Sequence, residues 1–126
     1  MPVLTAGKLT EQIIGLAIEV HRNTGPGLLE SVYEQCLCHE LRAAAMAFEH
    51  QVAIPIIYKA VPIGDGFRAD IVVDRQVIVE IKSVAAILPV HEAQLHTYLR
   101  MSGLRAGLIL NFNARRVADG IRRYVA

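Results

Sequence analysis

From Thr10 to Asn23 the apolar residues Ile13, Ile14, Leu16, Ala17, Ile18 and Val20 recur at helical spacing. That pattern predicts an amphipathic helix with a broad apolar face. Gly25-Pro26-Gly27 interrupts it. A second helix is expected from about Leu28 to Met46, with Val32, Cys36, Leu37, Leu41 and Ala44 or Ala45 as its inner stripe. Phe48 to Tyr58 is rich in β-branched residues and reads as a strand, with Pro55 marking an edge or a bulge. After the turn signal Gly64-Asp65-Gly66, two further strands are expected, Phe67 to Val73 and Val77 to Val84. Pro89 suits the first turn of a helix that runs to about Ser102 and stops at Gly103. Ala106 to Phe112 is a continuous apolar run, as in a strand buried on both sides. Arg115 to Val125 is open between helix and strand; the Asp119-Gly120 interruption favours a terminal strand from about Ile121. The order predicts one α/β layer fold with a mixed sheet, a single domain over residues 1–126.

The pair of strands around Asp74-Arg75-Gln76 carries the chemistry. A three-residue turn would pair Val73 with Val77 and set Asp70 opposite Glu80, and directly paired residues share a face. One face is then Ala69, Ile71, Val73, Val77, Val79 and Ile81. The other gathers Arg68, Asp70, Glu80 and Lys82 at one end, with Val72 and Ile78 beyond. The parity of the turn matters. An even loop would set Asp70 on the face of Val79 and Ile81 and turn a charge into the core. Two carboxylates so close repel unless a cation or a proton lies between them, so a divalent metal is the economical expectation.

Composition narrows the field. The chain has 126 residues, enough for one core, and no apolar run approaches the roughly 20 residues of a membrane span. Met1 to Gln12 lacks the charged start and apolar stretch of a signal peptide, so the cytoplasm is the expected location. Just over half of the residues are apolar, which suits a well-packed fold or a homodimer. Cys36 and Cys38, two apart on a helix, point to different sides; buried free thiols fit them better than a zinc site with His39. The net charge of +1 argues weakly against a non-specific nucleic-acid binder. The distribution is less neutral: from Arg100 onward six arginines, among them Arg115 and Arg116, face one acid, Asp119. Such a segment could lie along a phosphate backbone or simply form a solvated surface.

Taken together, Asp70, Glu80-Ile81-Lys82, a carboxylate on an earlier helix and a helix after the third strand resemble the PD-(D/E)xK nuclease superfamily. Gly27-Leu28-Leu29-Glu30-Ser31-Val32-Tyr33 is similar to the signature of the GxxExxY protein family. Gln94-Leu95-His96-Thr97-Tyr98 is similar to the QxxxY motif of RecB-type members. The resemblance spans the first helix to at least Asn113. It departs from the pattern at Ala69, where the superfamily's usual proline would precede the aspartate, and at Pro55 in the first strand.

The resemblance implies a restriction-endonuclease-like core, a mixed β-sheet flanked by helices. It implies a hydrolase that cleaves phosphodiester bonds in a nucleic acid, with DNA the expected substrate. Asp70, Glu80 and the Ile81 carbonyl would hold Mg²⁺ or Mn²⁺, with Glu30 a further ligand, direct or through water. Lys82 would orient and help deprotonate the attacking water; its alternative is an ion pair with Glu80 or Asp70. Gln94 and Tyr98 would stand near the metal and the nucleic-acid backbone, on one helical face; the alternative is an ordinary amphipathic helix whose core stripe is Leu95 and Leu99. Gly27 would allow close approach of its loop, and Tyr33 reads as a packing or hydrogen-bond buttress rather than a catalyst. His91 reads as a surface or supporting residue. Arg68 could hold a phosphate through a bidentate contact or merely neutralise the carboxylates. No sequence-reading element such as a zinc finger or helix-turn-helix is visible. A binding or assembly module that keeps the fold without catalysis is the competing reading, since fold does not guarantee activity.

Overall fold

Thr5 opens the first helix: its hydroxyl accepts a hydrogen bond from the Lys8 N–H at 3.2 Å, satisfying one of the free donors of the first turn. Helix α1 therefore spans Ala6–Thr24 and starts four residues before the apolar periodicity does. The computed structural model describes residues 4–125; Met1 to Val3, part of the stretch read for a signal peptide, lie outside the described residues. Helix α2 spans Glu30–Ala43 and buries Tyr33, Leu37, Cys38 and Leu41. The expected stripe was one position off at its start: Val32 is exposed and Cys36 half-buried, while Tyr33 and Cys38 face inward. Both cysteines are free thiols.

Strand β1, Phe48–Ile54, ends before Pro55, which has no N–H to donate. The stretch expected to continue as one strand instead turns back as a separate two-stranded hairpin, β2 Ile57–Tyr58 and β3 Val61–Pro62. Strand β4, Phe67–Val73, and strand β5, Val77–Lys82, flank the three-residue turn. Helix α3, Pro89–Ser102, closes at Gly103 as expected. Strand β6, Ala106–Asn111, is buried throughout. After a 3₁₀ turn over Val117–Gly120, strand β7 occupies Ile121–Val125, which places the ambiguous tail in the sheet.

The main sheet has the order β1-β4-β5-β6-β7, antiparallel except for the parallel β5–β6 pair. The connection from β5 to β6 is the crossover that carries α3. Helices α1 and α2 cover the face of Ile71, Val73, Val77, Val79 and Ile81, joined by Leu108, Leu110 and Phe112. Helix α3 covers the other face, with Leu95 against Val72, Ile78 and Ile109. Ala69 departs from the expected face and packs in this second cluster with Ile54. Strand β4 is irregular beside it, as the ladders on both sides lapse at Asp70. No helix among the described residues is long and apolar enough to cross a membrane.

Candidate active site

The sheet opens at Asp70. On one side, β1 pairs with β4 at His50↔Ile71 and Val52↔Ala69 but skips Gln51, which has φ 52°. On the other, β4 and β5 pair at Val73↔Val77, Val72↔Ile78 and Ile71↔Val79 and no further. The register therefore ends before Asp70, and the alternation of β4 breaks there, since Ala69 and Ile71 lie in opposite clusters. What shows Asp70 beside Glu80 is the charge and the hydrogen bond through which Asp70 acts on it. Where the ladder would continue, the Asp70 carboxylate takes over: its Oδ2 accepts from the Ile81 N–H at 2.7 Å. The Lys82 carbonyl accepts from the Phe112 N–H and so points toward β6. Backbone groups of successive strand residues point to opposite edges. The Ile81 carbonyl therefore faces the Asp70 edge, beside the carboxylate.

Glu80 is 8 % exposed, and its Oε1 is buried with no hydrogen-bond partner. Burial alone raises the pKa of a carboxyl group, because the charged form loses water. Here it is pushed up to about 9, first by desolvation, then by the charge of Asp70 and a hydrogen bond to Asp70. Lys82 pulls in the opposite direction but not enough. The lysine is half-buried and forms no ion pair among the described residues, so the alternative of a salt bridge to Glu80 or Asp70 is not what positions it.

Glu30 enters from α2. Its Oε2 accepts from the Ser83 N–H at 3.3 Å, and the Ser83 hydroxyl donates to the Leu28 carbonyl at 2.7 Å. These bonds and those of Asn111 explain why β5 ends at Lys82 rather than Val84. The Asn111 side chain accepts from the Val84 N–H at 3.1 Å and donates to the Val84 carbonyl at 3.0 Å. Tyr33 is fully buried, stacks on Phe112, donates to the Gly25 carbonyl at 2.6 Å and accepts from the Leu28 N–H at 3.1 Å. It is the buttress of the loop that leads into Glu30. Gly27, at φ 102°, takes a backbone conformation that a side chain would strain. The three letters of the Gly27–Glu30–Tyr33 motif thus act on one loop.

The position of Glu30 nevertheless differs from a direct ligand beside the other two. Among the described residues no three His, Cys, Asp or Glu side chains form a group able to hold a metal ion. The same observation leaves Cys36, Cys38 and His39 without a zinc site. The donors brought together are the Asp70 and Glu80 carboxylates and the Ile81 carbonyl. All are hard oxygen donors, and one carries an unsatisfied buried lone pair, which suits Mg²⁺ or Mn²⁺.

One carboxylate here went unread in the sequence. Glu34, one helical turn after Glu30, accepts from the Gln51 side chain at 2.9 and 3.2 Å. Its pKa is raised, mainly by desolvation and also by the charge of Asp70. The four-residue spacing of Glu30 and Glu34 on one helix face was the available signal.

On α3, Tyr98 is half-buried and stacks on Phe67 with ring centroids 3.6 Å apart. Burial raises its pKa, and the charges of Glu80 and Asp70 raise it further, which places it in their field. Gln94 is exposed one turn earlier. His91 supports the helix start, its Nδ1 accepting from the Leu88 N–H at 3.0 Å. Arg68 is exposed and donates to the Gln51 carbonyl at 3.1 Å. Arg115 and Arg116 are exposed beyond the end of β6 that pairs with Lys82; Arg116 also pairs with Asp119 at 3.4 Å.

A sequence profile of the PD-(D/E)XK nuclease superfamily matches residues 7–124. The chain belongs to the PD-(D/E)XK nuclease superfamily. No curated protein and no solved structure matches the chain. The mixed five-stranded sheet flanked by helices is consistent with the PD-(D/E)XK fold. Membership points to nuclease chemistry on a nucleic acid, and PD-(D/E)XK nucleases usually use divalent metals.

Proposed function

We propose that this protein is a Mg²⁺- or Mn²⁺-dependent nuclease that hydrolyses phosphodiester bonds in DNA, and that within its superfamily it is a GxxExxY protein with a RecB-type QxxxY helix. The observation that carries the reading is the Asp70–Glu80 pair. A buried carboxyl with an orphaned oxygen, pressed against a second carboxylate, is a costly arrangement that a cation would relieve.

In this reading Asp70, Glu80 and the Ile81 carbonyl hold the cation. When bound, the cation supplies Lewis-acid polarisation of the phosphate and a lowered pKa for water. Glu80 must release its proton to act as a ligand, and the charge of Lys82 favours that release. The Lys82 ammonium then orients the attacking water and offsets negative charge as it builds on the phosphate. Glu30 holds the Ser83 backbone just after β5, from where its carboxylate would bind the cation through water. Tyr98 and Gln94 contact the substrate backbone from α3, and Arg68, Arg115 and Arg116 meet its phosphates.

The test is cleavage of a panel of single-stranded, double-stranded and branched DNA, with RNA counterparts, in Mn²⁺ and Mg²⁺. Hydrolysis of DNA that disappears with chelator and in Glu80→Ala is the expected result. Affinity for the same substrates without turnover, in wild type as in the variant, would overturn catalysis in favour of a binding module.

A further inference from the structure

The hairpin after β1 is out of keeping with the rest of the fold. Its strands are two residues each, paired Ile57↔Pro62 and Tyr58↔Val61, with one more bond from the Ile63 N–H to the Ile56 carbonyl at 2.9 Å. A ribbon this short is marginal on its own. Yet it displays large apolar side chains to solvent: Tyr58 is 61 % exposed and Val61 53 %. An exposed apolar cluster of this kind marks a contact surface.

Its tip is strained as well. Lys59 and Ala60 both lie at positive φ, 48° and 66°. Two-residue turns of this form favour Asn-Gly or Gly-Gly, because a Cβ is costly there. A lysine stands at the tip, its ammonium over the Tyr58 ring at 5.5 Å from its centre. Between Gln51 and Ala69 the only acid is Asp65, in the turn leading back to β4.

Position completes the case. The hairpin leaves β1 after Ile54 and returns to β4 at Phe67, and these two residues are paired. It therefore projects from the end of the sheet where β4 begins, three residues before Asp70. Phe67, at its base, stacks on Tyr98, which lies in the field of both carboxylates.

We propose that the Ile57–Pro62 hairpin is a second substrate contact, in which Tyr58 stacks on an unpaired base and Lys59 meets the adjoining phosphate. The inference rests on the nucleic-acid substrate of the preceding section and names its form: a strand that is single at the point of contact. A stacked aromatic beside a cation is the usual way a strand is held without sequence preference. A second copy of this chain would also cover the apolar residues. It would not explain a strained lysine at the tip.

The test is binding of single-stranded DNA carrying a fluorescent base analogue, measured in chelator so that no metal-supported cleavage intervenes. Tyr58→Ala should weaken binding on the order of tenfold and abolish the stacking signal, while Tyr58→Phe, which keeps the ring, should restore both. Lys59→Gly should weaken binding and lower the salt slope by about 0.7, the share of one single-strand phosphate contact. Because glycine relieves the positive φ, its melting temperature should hold or rise, which separates lost contact from lost fold. Ala60→Gly should relieve the same strain with affinity unchanged. Unchanged affinity in Tyr58→Ala overturns the inference. So does a wild-type dimer in sedimentation that Tyr58→Ala dissociates while oligonucleotide affinity stays the same. Failure of the nuclease reading looks different. Binding that depends on Tyr58 in a protein that hydrolyses nothing supports the hairpin and overturns catalysis.

Discussion

Glu80→Gln should make the metal-free protein more stable, and the gain should grow with pH. In the folded chain the Glu80 pKa is pushed up to about 9, against 4.5 for the ordinary side chain. Between those values the native state holds a proton that the unfolded chain has released. Stability changes with pH as the difference in protons bound, unfolded minus native, and that difference is negative here. Wild-type stability should therefore fall as pH rises from about 4.5 to 9 and be level on either side as far as this group is concerned. One pKa unit is about 1.4 kcal/mol, so the loss reaches about 3 kcal/mol at pH 7 and about 6 kcal/mol at pH 9. Glutamine has the same shape, does not titrate, and can donate to Asp70 as the acid form does. It forgoes no bond at Oε1, which has no partner to lose. Thermal or urea denaturation in chelator, from pH 5 to pH 9, should show the two proteins nearly level at pH 5. They should diverge by on the order of 10 °C at neutral pH.

Divalent cation should then reverse the order of benefit. Binding to the native state adds RT ln(1 + [L]/Kd), about 1.4 kcal/mol when metal is roughly tenfold above Kd, a shift of several degrees. Wild type should gain this from Mn²⁺ and at least part of it from Mg²⁺, while Glu80→Gln gains less. Parallel pH profiles for the two proteins in chelator would refute the burial and charge coupling assigned to Glu80. Equal metal shifts would place the cation elsewhere.

Three further outcomes are expected. Tyr98→Phe keeps the stack on Phe67 and loses only the hydroxyl and its proposed hydrogen bond to the substrate backbone, so cleavage should fall by about tenfold with the melting temperature nearly unchanged; Tyr98→Ala should also cost about 2 kcal/mol of stability in urea denaturation. Tyr33→Phe removes a hydroxyl that both donates and accepts in full burial, which should cost about 1–3 kcal/mol and lower cleavage through the loop that carries Glu30. Gly107→Ala would set a Cβ 2.8 Å from the Leu95 Cδ1, so about 1–3 kcal/mol should be lost. Its cost should shrink in a Leu95→Ala background, a coupling that a double-mutant cycle reads directly.

Most of the elements were legible because burial writes itself into periodicity. Alternation located β4 and β5, a continuous apolar run located β6, and Pro89 and Gly103 bounded α3. Parity was legible only as far as Ile71: three residues between Val73 and Val77 fix the register there, and the break in β4 at Asp70 is not written in the alternation. What escaped the sequence depends on single hydrogen bonds. Thr5 starts α1 through one capping bond, although the apolar pattern begins only later. Asn111 and Glu30 end β5 by claiming the backbone of Val84 and Ser83, and neither bond has a signature in composition. The hairpin was missed because Pro55 reads as an edge or a bulge within one strand, and because Lys59-Ala60 is not a turn dipeptide.

The opening of the sheet at Asp70 is the deepest of these omissions, because it is where fold and function conflict. An uninterrupted ladder would have satisfied the backbone of Gln51, Asp70 and Ile81 and left no room for a side chain between strands. Instead Gln51 takes a positive φ, held by Glu34 through its side chain and by Arg68 through its carbonyl. Asp70 spends its carboxylate on the Ile81 N–H, and Glu80 keeps a buried oxygen with no partner. The positive φ and the orphaned oxygen cost stability, and surrounding contacts on both faces of the sheet offset them. Local strain of this kind persists where the neighbourhood over-determines it, and such neighbourhoods cluster at functional sites. Glu34, Gln51 and Arg68 are therefore residues that keep the gap open rather than fill it. The same gap that weakens the metal-free fold brings the Asp70 carboxylate against both Glu80 and the Ile81 backbone.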